Sequence, residues 1–233
     1  MPSPARLPTW FISHGGGPWP WLEEMTPMMA GLAQSLRTLP ATLPAAPRAV
    51  LMISAHWESP SFALMSHPRP PMLYDYYGFP PHTYSVSYPA PGSPDLAAQV
   101  RALIAAAELP VTFDTARGFD HRAFVPMAVM WPEAAMPLVQ LSLRTGLDPA
   151  MHLALGRALA PLRNDGVLIV GSGLSWRNLR RLGPEARDAH PRAEHLLPLM
   201  VALGAAEQEA GDCPYREQDV FGGTVVSSFR FGA

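Results

Sequence analysis

The sequence predicts an α/β fold: a single domain over residues 1–233, with a mostly parallel central sheet flanked by helices. Three observations predict it. Short apolar runs of strand length alternate with longer helical segments, the pattern of units that build a parallel sheet. The 233 residues are 48% hydrophobic and 15% charged, enough apolar surface for one sizeable core, and no composition break divides them. The 28 prolines gather most densely in 40–47, 60–94 and 184–198, where they mark connections.

In chain order, Thr9 to Ser13 and Ala49 to Ser54 read as buried strands. The stretch 60–94 reads as a long ordered surface loop, because Tyr74, Tyr76, Tyr77, Phe79, Tyr84 and Tyr88 supply aromatics that a disordered linker lacks. Pro94 to Ala107 reads as a helix capped by Ser93, and Pro149 to Arg163 as one capped by Asp148; each opens with proline in its first turn. Pro137 to Ser142 and Val167 to Gly171 are further strands, with Asn164-Asp165-Gly166 turning into the second. Glu194 to Ala206 is a late helix, and Thr224 to Phe231 alternates as a final strand.

The bulk numbers also exclude. A net charge of -2 gives no electrostatic reason to bind nucleic acid. No apolar run approaches the roughly 20 residues of a membrane span. The stretch from Met1 to Leu7 lacks the apolar core of a secretory signal, which places the protein in the cytoplasm. The single cysteine, Cys213, precludes an intrachain disulfide and reads as a passive residue.

The histidines carry the chemical signal. His14 follows a strand and precedes Gly15-Gly16-Gly17; His56 follows a second strand in Ser54-Ala55-His56-Trp57. Ligands bind outside the carboxyl ends of parallel strands, so two histidines delivered there can meet on one ion. A lone histidine in such a place more often hydrogen-bonds within its loop, and only the repetition favours metal. Gly118-Phe119-Asp120-His121 offers another, with Asp120 equally readable as a helix cap and His121 as a solvated first-turn residue. In Glu194-His195 the acid has a routine first-turn explanation and the histidine has none. His67, His82, His152 and His190 read as structural.

Several segments together resemble the DOPA 4,5-dioxygenase family of class III extradiol enzymes. They are Tyr74-Asp75-Tyr76-Tyr77-Gly78-Phe79-Pro80, Tyr88-Pro89-Ala90-Pro91-Gly92, Ser54-Ala55-His56-Trp57, Gly118-Phe119-Asp120-His121, Gly171-Ser172-Gly173 and Glu194-His195-Leu196-Leu197-Pro198. The resemblance runs in order from about His14 to the C-terminus. It implies an Fe(II)-dependent extradiol dioxygenase that cleaves a small catechol-like aromatic with O2. It further implies metal ligation by His14, His56 and His195, with Zn(II) an alternative ion, a catalytic role for His121 beside bound substrate, and a substrate site including Ser172, Arg177, Tyr77 and Phe79.

The sequence departs from the family in three places. Arg177 stands in Trp176-Arg177-Asn178-Leu179-Arg180, where the family has the histidine expected to handle the catechol proton; an arginine keeps its proton and suits an anion clamp instead. Arg122 follows the Asp-His pair where a small residue is usual, and reads as solvent-facing. Only Arg181 to Ala193 separates the Asn-Leu-Arg segment from Glu194, which leaves a wall of the site open, or to a partner subunit in a homo-oligomer. The alternatives to ring cleavage are a zinc-dependent hydrolase or lyase, and a metal-binding family member that has lost ring cleavage through Arg177.

Overall fold

The computed structural model describes residues 5–175, 192–220 and 224–232. Eight strands form one sheet in the order β4-β3-β5-β2-β6-β1-β8-β7. They are β1 (Thr9–Ser13), β2 (Ala49–Ser59), β3 (Phe62–Met65), β4 (Val111–Asp114), β5 (Leu138–Arg144), β6 (Val167–Gly173), β7 (Gly211–Val220) and β8 (Thr224–Phe231). The centre, β5-β2-β6-β1, is parallel throughout; β8 joins β1 antiparallel, and β3 joins β5 antiparallel. Five helices complete the described fold: α1 (Ala30–Thr38), α2 (Pro94–Ala106), α3 (His121–Met130), α4 (Pro149–Leu159) and α5 (Leu197–Gly204).

Both faces of the sheet are covered, which explains why its central strands read as unbroken apolar runs. Along β2, Val50 and Met52 enter one core with Leu32, Leu36, Phe124 and Met127 of α1 and α3. The alternate residues Leu51 and Ile53 enter the other with Val100, Leu155 and Val201 of α2, α4 and α5. Ser93 Oγ accepts from Leu96 N, and the Asp148 side chain accepts from Ala150 N, so both caps stand where the sequence puts them. Gly166 closes its turn in the left-handed region, at φ 71°.

Four sequence expectations need correction. Strand β2 continues past Ser54 to Ser59, so His56 lies inside it, in a stretch where the pairing with β5 slips between Ile53 and Glu58. Stretch 60–94 is not all loop: it contains β3 and a 3-10 turn over Pro81–Ser85. The α4 helix stops at Leu159 and continues as 3-10 turns over Ala160–Asp165. Glu194 and His195 sit in a separate 3-10 turn, Ala193–His195, and α5 begins only at Leu197.

Candidate active site

The carboxyl ends of the parallel strands meet in register: Ser13 pairs with Gly173 and Ser54 with Ser172. This edge delivers the histidines. His14 follows Ser13 directly; His56 projects from the irregular stretch of β2; His121 opens α3; His195 precedes α5. Glycine makes the last approach possible. A Cβ at Gly171 would overlap the Pro198 carbonyl, and one at Gly173 the His195 carbonyl, so the chain entering α5 rests on β6 at atomic contact.

The imidazoles form one cluster. Ring centroids lie 5.4 Å apart for His14 and His195, 5.2 Å for His56 and His195, 5.3 Å for His56 and His121, and 6.0 Å for His14 and His121. The structure thus gathers the predicted His14, His56, His121 and His195. His121 is buried, not solvated.

Each ring has its Nδ1 against an oxygen. His14 Nδ1 is 2.7 Å from Gly15 O, and His195 Nδ1 is 3.2 Å from Glu194 Oε1. His56 Nδ1 is 3.0 Å from Asp75 Oδ2, and His121 Nδ1 is 2.5 Å from Asp75 Oδ1. An Nδ1–H donating to oxygen fixes the tautomer and leaves the lone pair on Nε2. His195 shows the consequence, since its Nε2 accepts from Arg122 Nη2 at 3.3 Å. Burial holds the His14 pKa well below its ordinary value, and the nearby Arg122, His195 and His121 push the same way, so the ring is neutral at neutral pH. Its Nε2 is buried and has no hydrogen-bond partner among the described residues. A neutral buried imidazole with a bare nitrogen, set among other imidazoles, fits a borderline divalent ion such as Fe(II) or Zn(II).

Beneath the cluster sits Asp120, fully buried. Its carboxylate caps α3 by accepting from Arg122 N and Ala123 N, and also accepts from Ser54 Oγ, Gln140 Nε2 and Arg117 Nη2. The capping reading of Asp120 holds, and it ties α3 to β2 and β5 directly below His121 and His56.

Other expectations fare differently. Arg122 is buried, not solvent-facing, and reaches Asp75 Oδ2 at 3.3 Å as well as His195. Glu194 is also buried and orients His195. Ser172 is fully buried and donates its hydroxyl to Arg122 O at 2.7 Å, where it supports α3. Tyr77 is 91% exposed among the described residues. Phe79 packs over Gly17 and edge-on to Tyr76 at 5.6 Å. Tyr76, one of the aromatics of stretch 60–94, has its ring 5.6 Å from His121, and burial pushes its hydroxyl pKa up to about 12. Arg177 lies outside the described residues, as does His190. His67, His82 and His152 make local structural bonds, to Arg69 N, Trp21 O and Arg144 N respectively.

Asp75 is the residue the sequence reading missed. One ligand atom each from His56, Asp75 and His121 lie within 4.8 Å of one another. No helix of the described residues is long and apolar enough to cross a membrane.

An α/β sheet with an imidazole cluster at its carboxyl edge has the form of an enzyme whose ligands bind outside the strand ends. Residues 23–189 match the family described as the catalytic LigB subunit of aromatic ring-opening dioxygenase. A dioxygenase of Hapsidospora irregularis is 43% identical over 179 residues, covering 73% of this chain and 55% of that protein, so the match spans little more than half of that relative. The 4,5-DOPA dioxygenase extradiol of Escherichia coli (strain K12) is 39% identical over 243 residues, 87% of this chain and 86% of the relative. The crystal structure of an uncharacterized protein from Escherichia coli K12 superposes with a TM-score of 0.75 at 29% identity, covering 97% of this chain and all of that one. The chain belongs to the class III extradiol dioxygenases of the DOPA 4,5-dioxygenase family and is an enzyme of the ring-cleaving dioxygenase class.

Proposed function

We propose that this enzyme is a non-haem Fe(II) dioxygenase that opens a catechol-like ring beside its diol, using O2. The observation that carries the reading is the cluster of imidazoles, three buried and His56 half-buried, whose Nδ1 atoms are all held by oxygen, with His14 Nε2 left bare. His14, His56 and His195 are assigned to hold the ion through Nε2, with Arg122 Nη2 giving up its bond to His195 Nε2 when the ion binds; Zn(II) fits the same donors. When bound, Fe(II) supplies the redox and Lewis-acid chemistry that couples O2 to ring opening.

The chain's own residues do the rest. His121, its Nδ1 anchored on Asp75, presents Nε2 to hydrogen-bond the substrate oxygen and to hold or return its proton. Tyr76 and Phe79 form an apolar edge that seats an aromatic ring beside His121. Arg177 is assigned, by its place in the motif, to pair with an anionic group of the substrate, because a guanidinium cannot serve as base at neutral pH.

The test is anaerobic loading with Fe(II), addition of a panel of catechols, and admission of air at an oxygen electrode. O2 uptake with a yellow ring-opened product is expected. His121→Ala is expected to keep its iron and lose about 10²–10⁴-fold in kcat, the usual range for a proton-handling group. Stoichiometric metal with no O2 uptake across the panel would refute the reading in favour of a zinc hydrolase or a binding protein.

A further inference from the structure

We infer that Asp75 is a positioning residue: one carboxylate that anchors two of the clustered histidines through their Nδ1 atoms, and not itself a ligand. The inference rests on the metal reading proposed above and extends it to a residue outside the assigned ligands.

The geometry separates anchor from ligand. A carboxylate offers about four lone-pair sites. Those of Asp75 meet four donors: His56 Nδ1 at 3.0 Å, His121 Nδ1 at 2.5 Å, His121 N at 3.0 Å and Arg122 Nη1 at 3.3 Å. A cation seated between Asp75, His56 and His121 would have to displace these donors. Two of them would have to move their proton to the other ring nitrogen. As anchor, the same carboxylate keeps every contact, is balanced by Arg122, and leaves Nε2 of both rings bearing the lone pair.

Position in the chain adds a consequence. Asp75 comes from stretch 60–94, 19 residues from His56 and 46 from His121. It adjoins Tyr76, whose ring edges His121. One segment therefore carries both the aromatic wall and the anchor, so seating the wall and orienting the histidines are a single event.

The experiment uses the full chain, metal-free and then titrated with Zn(II). Side-chain ¹⁵N spectra at mildly alkaline pH read the tautomer of each histidine. His56 and His121 are expected as Nδ1–H forms with bare Nε2. Asp75→Asn keeps the shape but offers one acceptor oxygen and an NH2 group, so one of the two rings is expected to lose its Nδ1–H signal. His14 and His152, whose Nδ1 atoms bond Gly15 O and Asp148 O, are expected unchanged. Zn(II) affinity is expected to fall 10–100-fold in Asp75→Asn, the usual effect of removing a ligand's hydrogen-bond partner. Nε2–H tautomers in the wild type, or wild-type tautomers and affinity in Asp75→Asn, would overturn the anchor. If the wild type binds no metal, the metal reading fails and the tautomer spectra still decide on Asp75. If His56→Ala loses metal and Asp75→Asn does not, the metal reading stands and the anchor falls.

Discussion

Asp120→Ala should be the most destabilising single change near the site. The carboxylate is fully buried and receives hydrogen bonds from Ser54 Oγ, Gln140 Nε2, Arg117 Nη2, Arg122 N and Ala123 N, at 2.8–3.2 Å. Removing an N-cap costs about 0.5–2 kcal/mol. Leaving buried donors without an acceptor costs about 1–3 kcal/mol for each that water cannot reach. Breaking a buried ion pair by deleting one partner costs about 3–5 kcal/mol, a figure that overlaps the previous one because Arg117 is among the donors. Discounting that overlap gives about 4–6 kcal/mol. For a chain of this length that lowers Tm by roughly 10–20 °C. Asp120→Asn keeps an oxygen for some of the donors but turns an NH2 toward Gln140 and Arg117, so about half the loss is expected. Urea denaturation followed by circular dichroism measures both variants. A loss below about 1 kcal/mol in Asp120→Ala would refute the claim that this carboxylate joins α3 to the sheet.

Further outcomes follow from single residues. Burial lowers the His152 pKa, the bonded Asp148 carbonyl opposing and Arg144 reinforcing the shift. The folded state therefore binds fewer protons than the unfolded chain at acid pH. Stability from this group is complete above the unfolded histidine value of about 6.5 and falls as pH drops below it, by at most about 1.4 kcal/mol per pH unit. The difference between urea curves of wild type and His152→Leu, compared above and below that value, isolates the effect. Gly173→Ala drives a Cβ into the His195 carbonyl, so it should weaken Zn(II) binding at least tenfold in a calorimetric titration. Arg177→His removes the fixed cation assigned to pair with the substrate's anionic group, so KM for an anionic catechol should rise about 10–100-fold at the oxygen electrode, with kcat little changed.

What the sequence discloses depends on where its contrast lies. β1 and β8 have the bounds their patterns predict, because buried strands end at polar or glycine residues. β2 runs past its apparent end because Ala55-His56-Trp57-Glu58 has mixed polarity, and only pairing with β5 keeps it extended. β3 is hidden among prolines, and the edge strand β4 shows no buried run. His14, His56, His121 and His195 were legible from strand ends and motif order. Asp75 was not, because an aspartate in a tyrosine- and proline-rich loop reads as a turn residue. Arg122 was misread because a long side chain can start beside the surface and bury its head; the Asp75 carboxylate that draws it inward lies 47 residues earlier.

The central claim is that Nε2 of His14, His56 and His195 share one ion. A crystal structure of the protein soaked in Zn(II), located by its anomalous signal, tests it directly. The account predicts zinc at about 2.0–2.1 Å from those three nitrogens, with Asp75 still bonded to Nδ1 of His56 and His121. Zinc bound instead to an Asp75 oxygen and to Nδ1 of His56 and His121 would contradict it.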